Sequence, residues 1–391
     1  MPYPKVFIVI CFAAFCILLP YAIVLPVLPL YARDELHASD ELVGLIVSSY
    51  FIARACVELP GGAISDRIGR RRPIILGMLL GAIGGLVLGL ASNAILFFLG
   101  RAIWGAGTAL FFSSTYSLLF DLFPPNSRGK SMGTFQSIEM IGSFIGAPIG
   151  GVLAEILGMR QIFYLSVVIL AAGFVITSLF KGLKIEGDKN NAEKSSHFSV
   201  NTAFDLLKNW GLIVVSIGAF VRMLIMQGIR ATILPIYLDA FGISEAWIGI
   251  VIGVSSLGQI FATFTAGTLT RKIGSKRILL IGCALHAVVI FSYAYANILE
   301  FFLLISFLDG VASGIEMITL TVLISDFVPA NVRGTGVGIY RTFFDAGGII
   351  GPIAMTILAT NINIASSFYF SSILLIGAFL ITLTLKEGNH R

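Results

Sequence analysis

The chain has 391 residues, of which 57% are hydrophobic and 12% charged, and its net charge is +5; its mean hydropathy is +0.94. A soluble domain carries roughly 25% charged residues, so these totals exclude a soluble globular protein and leave an integral membrane protein. The positive charge gathers in a few short segments, which speaks for membrane topology and against nucleic acid as a partner.

In chain order, apolar runs fall at about 6–31, 42–64, 74–92, 95–120, 132–155, 161–180, 210–237, 246–269, 278–296, 299–325, 336–359 and 364–385. Each is long enough for a helix to cross about 30 Å at 1.5 Å per residue, which predicts twelve transmembrane helices. The first run follows "MPYPK" and is too long for a signal-peptide core, so it is read as a helix; Pro20, Pro26 and Pro29 are expected to kink it. Between the second and third runs lies "GGAISDRIGRRRP" (61–73), one acid and four arginines in a short gap. The stretch 181–209 is polar and mixed in charge, a linker with a short surface helix expected at 200–208. The predicted organisation is therefore a six-helix bundle over 1–180, a cytoplasmic linker over 181–209 and a second six-helix bundle over 210–391.

With both termini on one side, the segments on that side hold nineteen Lys and Arg, and the opposite segments hold only Arg33 and Arg160. The positive-inside rule then places both termini in the cytoplasm of a multi-pass protein of the cell (plasma or inner) membrane. Cys11, Cys16, Cys56 and Cys283 lie inside apolar runs without metal-ligand spacing and read as packing residues. His286 reads the same way. No metal set, phosphate-binding loop or other cofactor motif is recognisable, and tiny loops leave no room for a soluble catalytic domain, so an enzyme is not expected.

Shifted by 205 residues, the chain matches itself. Gly62 falls on Gly267, "RIGRRR" (67–72) on "KIGSKR" (272–277), and "DLFPPNSRG" (121–129) on "DFVPANVRG" (326–334); Gly133, Gly142 and Gly146 fall on Gly338, Gly347 and Gly351. "LPLY" (28–31) falls on "LPIY" (234–237) at a shift of 206. The fold class is all-α integral membrane, two six-helix bundles in parallel duplication. Two such bundles around a central site can rock and expose it to either side in turn.

The loop and helix motifs resemble those of the major facilitator superfamily over essentially the whole chain. "GGAISDRIGRRR" resembles that family's loop signature at Gly62, Asp66, Arg67, Gly69, Arg70 and Arg71; "RAIWGAG" (101–107) resembles its fourth-helix arginine signature; "GSFIGAPIGG" (142–151) resembles the fifth-helix signature of its drug/proton antiporters, carried by Gly142, Gly146, Pro148, Gly150 and Gly151. The resemblance implies twelve helices in a 6+6 arrangement and a gate in which Asp66 and Arg70 join Asp121. Pro148 stands one place later than in the usual signature. In the second half, Arg271 replaces the acid of the loop and Ser275 its first paired arginine, so the second loop does not repeat these contacts.

Ten ionisable residues fall inside the spans: Arg54, Glu58, Arg101, Glu139, Arg222, Arg230, Asp309, Glu316, Arg341 and Asp345. At about 2.5–3.5 kcal/mol each near the bilayer centre, most must pair or face a polar cavity. Arg54 with Glu58 and Arg341 with Asp345 have the i,i+4 spacing of neutralising pairs. Asp309 and Glu316 lie two turns apart on one helix face, where they line a path or meet Arg341. Glu139 has no base three or four residues away, and its repeat counterpart is Phe344; a membrane-buried carboxylate of this kind can alternate between protonated and ionised. Either that, or it pairs with Arg101 or Arg222 from another helix. Proton-coupling candidates are thus Glu139, Arg101, Asp309, Glu316 and Asp345. Arg222, Gln227, Arg230, Arg341, Tyr31 and Tyr237 are candidates for a substrate cavity. The glycines and proline of the fifth helix, and "GGIIGP" (347–352) of the eleventh, are expected where the two halves meet. Together these readings predict a secondary transporter, monomeric in the lipid bilayer, whose partners are protons and a small-molecule substrate. Proton-coupled export of amphipathic, drug-like molecules is expected, with symport or exchange of a polar metabolite or organic anion as the alternative.

Overall fold

The computed structural model describes residues 5–180, 204–329 and 332–385, and the expected linker falls largely outside them. Among the described residues there are twelve long helices and no strand. In the first half these are α1 (Lys5–Val24), α2 (Asp40–Ile68), α3 (Arg71–Leu90), α4 (Ala94–Leu122), α5 (Pro125–Leu157) and α6 (Met159–Leu179). In the second they are α7 (Trp210–Ala240), α8 (Glu245–Ile273), α9 (Ser275–Tyr293), α10 (Leu299–Phe327), α11 (Arg333–Asn361) and α12 (Ile364–Leu383). Eleven are long and apolar enough to span a membrane; α2 carries Arg54 and Glu58 and falls outside that set. Most helices run a few residues beyond the apolar runs, because their polar ends still complete the backbone hydrogen bonds of the last turns. Side-chain oxygens of Asn93, Asn209 and Asn363 accept from backbone N–H groups three residues on and so start α4, α7 and α12.

The expected kink in the first span is a break: α1 stops at Val24, a short turn carries Pro26, and the chain resumes as Leu28–Leu30 and a π segment, Tyr31–Glu35. Prolines supply no N–H there, which removes the hydrogen bonds that would continue the helix. The counterpart in the second half is a π segment, Met226–Ile233, inside α7. Of the surface helix expected at 200–208, residues 200–203 lie outside the described residues, and the remainder is a single turn over 204–206.

By its internal contacts the chain divides into two compact units, Met1–Ser195 with Ser244–Gly253, and Ser196–Ile243 with Val254–Arg391. In the first, α4 packs on α2 and α3, and α5 on α1; in the second, α10 packs on α9 and α11 on α7. The duplication repeats at the level of single contacts. A Cβ on Gly105 would strike the carbonyl oxygen of Tyr50, and one on Gly310 that of Ser255, 205 residues on. A Cβ on Gly142 would lie 3.3 Å from the Leu19 nitrogen, and one on Gly347 3.0 Å from the Leu224 nitrogen. Gly69 and Gly274 end α2 and α8 with φ of 85° and 96°, a region where an L side chain is strained.

These contacts correct the expectation for Gly142, Gly146 and Gly150 of the fifth helix and for Gly347 and Gly351 of the eleventh. Gly142, Gly146 and Gly150 press against α1, and Gly347 and Gly351 against α7, each within its own unit. They let two helices of one bundle approach closely. Gly151 and Pro148 face Gly249 and Gly253 in the stretch of α8 that clusters with the first unit.

Candidate functional site

The second unit holds a buried chain of charged side chains. Arg230, in the π segment of α7, sends Nη2 to Asp309 Oδ2 of α10 at 2.8 Å and Nε to the same oxygen at 3.0 Å. The Ser255 hydroxyl of α8 donates to that oxygen at 3.2 Å. Asp309 Oδ1 lies 3.0 Å from His286 Nε2 of α9, and His286 Nδ1 lies 3.0 Å from Glu316 Oε1, back on α10. All of these side chains are buried. A single buried charge in apolar surroundings is costly, and a carboxylate shared between a guanidinium, a hydroxyl and an imidazole offsets much of that cost. The π segment departs from regular α-helical geometry, a distortion that often marks functional positions.

The geometry bears on four expectations here. His286 is the centre of the chain and not a packing residue. Asp309 and Glu316, expected to line a path or to meet Arg341, meet Arg230 and His286. Arg222, Gln227 and Arg230 are buried within the bundle; Arg230 is neutralised by Asp309, and Arg222 Nε donates to the Ser313 carbonyl at 3.1 Å. The lone-cysteine reading also gains a neighbour: Glu316 Oε2 is buried and receives at most a weak thiol contact from Cys283, one turn before His286. Among the described residues, no group of three or more His, Cys, Asp or Glu side chains is arranged to hold a metal.

In the first unit, Arg101 of α4 is 1% exposed. Its guanidinium carbon lies 4.6 Å from the ring centroid of Tyr50, 4.9 Å from Tyr21 and 5.9 Å from Trp104. Its Nε and Nη1 have no hydrogen-bond partner among the described residues. The cation is thus held by ring quadrupoles. Glu139 of α5 is half-buried, and the Tyr116 phenol donates to its Oε1 at 3.4 Å. Arg54 and Glu58 form the expected i,i+4 pair at 3.4 Å.

At the loop between α2 and α3, Arg70 Nε reaches Asp121 Oδ2 at 3.0 Å, and Arg70 Nη1 reaches the Ser65 hydroxyl at 3.4 Å. Arg71 Nη2 donates to the Ser178 carbonyl at 2.7 Å, tying α3 to the end of α6. Arg67 is exposed. The Asp66 side chain lies outside the described residues, as does that of Arg271. In the second half Ser275 is buried, and Lys276 Nζ donates to the Leu385 carbonyl at 2.5 Å, the counterpart of the Arg71 contact.

The two tyrosines expected in a cavity both make ring contacts. Tyr31 is 1% exposed between Phe97 and Phe163, and its hydroxyl accepts from Arg160 Nε at 2.8 Å. Tyr237 packs edge-on against Phe241, Phe302 and Phe368. Asp345 is buried and Arg341 half-buried on α11.

Known proteins share this sequence pattern and fold. A family profile described as Major Facilitator Superfamily matches residues 10–229 and 215–391. The chain is 26% identical over 373 residues to an uncharacterized MFS-type transporter of Methanocaldococcus jannaschii, covering 93% of this chain and 94% of that one. It is 26% identical to Multidrug resistance protein 2 of Bacillus subtilis (98% and 96% covered) and 25% identical to Multidrug resistance protein MdtG of Proteus mirabilis (90% and 88%). Among solved structures it resembles a bacterial homolog of the human lysosomal transporter Spinster, with a TM-score of 0.79 at 15% identity and 98% of both chains covered. It also resembles the nucleoside transporter NupG, at 0.78 and 14%, with 97% and 99% covered.

Proposed function

Since the chain belongs to the major facilitator superfamily, a family of membrane carriers without enzymatic activity, we propose that it is a proton-driven antiporter exporting small amphipathic molecules by alternating access. Relatives named for multidrug resistance along nearly their whole length support export. The observation that carries proton coupling is Glu139: a half-buried carboxylate within an apolar helix, hydrogen-bonded to the neutral phenol of Tyr116. A carboxylate at such a position can change charge as it takes up and releases a proton, so it suits a carrier that must load and unload one. The Arg70–Asp121 contact, partly exposed, fits a gate that forms in one state and breaks in the other. We place the termini on the cytoplasmic side, with the arginine-rich loop.

Symport or exchange of an organic anion has less support. It needs Arg222 and Arg230 to face the substrate, and Arg230 is matched by Asp309.

The test is proton flux in proteoliposomes with an internal pH dye, challenged with lipophilic cations and then with organic anions. Cation-evoked proton movement that disappears in Glu139→Gln supports the reading. A response to anions alone, or one untouched by the substitution, overturns it.

A further inference from the structure

In a proton-driven carrier, the reading on which this inference rests, the buried chain of the second unit has a further use. One oxygen of Asp309 accepts two guanidinium N–H groups and a hydroxyl, so the group is an ionised carboxylate. A carboxylate is acceptor-only. Its other oxygen lies 3.0 Å from His286 Nε2, so Nε2 carries a hydrogen and donates it. That fixes the imidazole tautomer from one side. On the other side, Nδ1 lies 3.0 Å from Glu316 Oε1. A neutral imidazole with its hydrogen on Nε2 presents a lone pair at Nδ1, and an ionised Glu316 presents only lone pairs. Two acceptors at that distance repel, the more so away from water. The contact therefore contains one further proton, shared between Nδ1 and Oε1 as imidazolium or as carboxylic acid. With it, Arg230, Asp309, His286 and Glu316 sum to zero charge.

The surroundings decide what happens when that proton leaves. From α7, Arg222 lies within electrostatic reach of Glu316, with Arg230 beyond it; from α8 comes the Ser255 hydroxyl. On α9 the neighbours are Cys283 and Tyr293, whose hydroxyl is bonded to Ser306 of α10. From α11, Tyr340 faces Arg222, and from α12 the Ser372 hydroxyl is taken by the Ala287 carbonyl. Of these groups, Arg222 is the cation able to answer a newly ionised Glu316, since Arg230 already serves Asp309.

We propose that the His286–Glu316 contact is a proton-loading site of the second bundle. Closed, it holds one transported proton. When that proton departs, lone pair faces lone pair, the contact opens, and Glu316 turns to Arg222. Only a proton moves, and no other bond is made or broken. Proton loss thereby breaks one of the two links from His286 to α10, a discrete two-state event that a carrier cycle can use.

The test has two arms. In nitrogen-15 histidine spectra of the full chain in lipid nanodiscs at about pH 7.5, where an ordinary histidine is neutral, the His286 signals are assigned by their loss in His286→Gln. Infrared spectra, with and without Glu316→Gln, report a protonated Glu316. The expected result is either two hydrogen-bearing ring nitrogens or a protonated Glu316. A neutral ring with an ionised Glu316 overturns the proposal. In the second arm, tetraphenylphosphonium binding is followed from about pH 6 to about pH 9. Linkage to one proton gives a change of up to about tenfold per pH unit where the site titrates, and Glu316→Gln should flatten that part of the profile. An unchanged profile makes the site structural and overturns its role in coupling. Should the intact protein ignore tetraphenylphosphonium, the export reading fails for that substrate class, while the spectroscopic arm still decides the proton count.

Discussion

Replacing Asp309 with Asn probes the buried chain most directly. The side chain keeps its size, but Arg230 loses the negative charge that holds it, and an amide NH2 group must now face a guanidinium, a hydroxyl or an imidazole N–H. Arg230 and Asp309 are 7% and 3% exposed, so water supplies little compensation. Breaking one partner of such a pair costs about 3–5 kcal/mol, because the survivor stays buried and charged. Set against a total stability of roughly 5–15 kcal/mol, that is a large share. Arg230→Gln should cost a similar amount from the other side. The double variant removes both charges, and it should be more stable than the sum of the singles predicts by about 2–3 kcal/mol. The assay is thermal unfolding of the four proteins in detergent, followed by labelling of the buried thiols of Cys11, Cys16 and Cys283; the exposed Cys56 is replaced beforehand in all four. Additive losses would show that the two side chains do not depend on one another, and the electrostatic account of this cluster would fall.

Gly150→Ala places a methyl group against the Ile23 carbonyl and should lower folded yield sharply, whereas Gly133→Ala, with open space around its Cβ on the same helix, should be neutral or stabilise by about 0.5–1 kcal/mol; size-exclusion chromatography of both variants checks the contrast. Arg101→Lys exchanges a flat cation between three aromatic rings for a compact ammonium, and it should cost about 1–2 kcal/mol in thermal stability. Arg70→Asp should abolish transport with a stability loss under about 1 kcal/mol, since the pair is partly exposed, and adding Asp121→Arg should restore flux; failure of the swap to rescue would separate the contact from gating.

Much of the architecture was legible because it depends on local composition. Spans follow from hydropathy, the break after Val24 from prolines, the Arg54–Glu58 pair from helical spacing, and the Arg70–Asp121 contact from a recognisable loop motif. The buried chain was not legible, because its members are far apart in sequence: His286 lies 23 residues from Asp309 and 30 from Glu316. A lone histidine on an apolar helix usually has a packing role. One signal was available, however. Asp309 and Glu316 lie two turns apart with no base at helical spacing on α10, so a neighbouring helix had to supply positive charge, and His286 is the titratable nitrogen within the α9 run. Tyr31 and Tyr237 could not be placed from sequence for a different reason: a membrane aromatic fits a cavity wall and a packed core equally well.

The duplication makes the difference between the halves sharper than either half alone. The same close approach is built twice, Gly105 on Tyr50 and Gly310 on Ser255, so the backbones beside these contacts coincide under the 205-residue shift. On that shared frame, Trp104 corresponds to Asp309, Tyr50 to Ser255, Arg101 to Ser306 and Gly81 to His286. In the first unit the large Trp104 reaches over the space at Gly81, and a cation is enclosed by aromatic rings. In the second, a small carboxylate takes the place of the indole, and an imidazole fills the space a glycine left open. Volume is exchanged across the helix contact, so the packing survives, while an aromatic box around one cation becomes a chain of titratable groups. A structural role alone would be met equally well by keeping the aromatic version in both halves, with one buried cation, Arg101, in place of the four ionisable side chains Arg230, Asp309, His286 and Glu316. That the costly version stands in one half only is the physical reason to look for proton chemistry there.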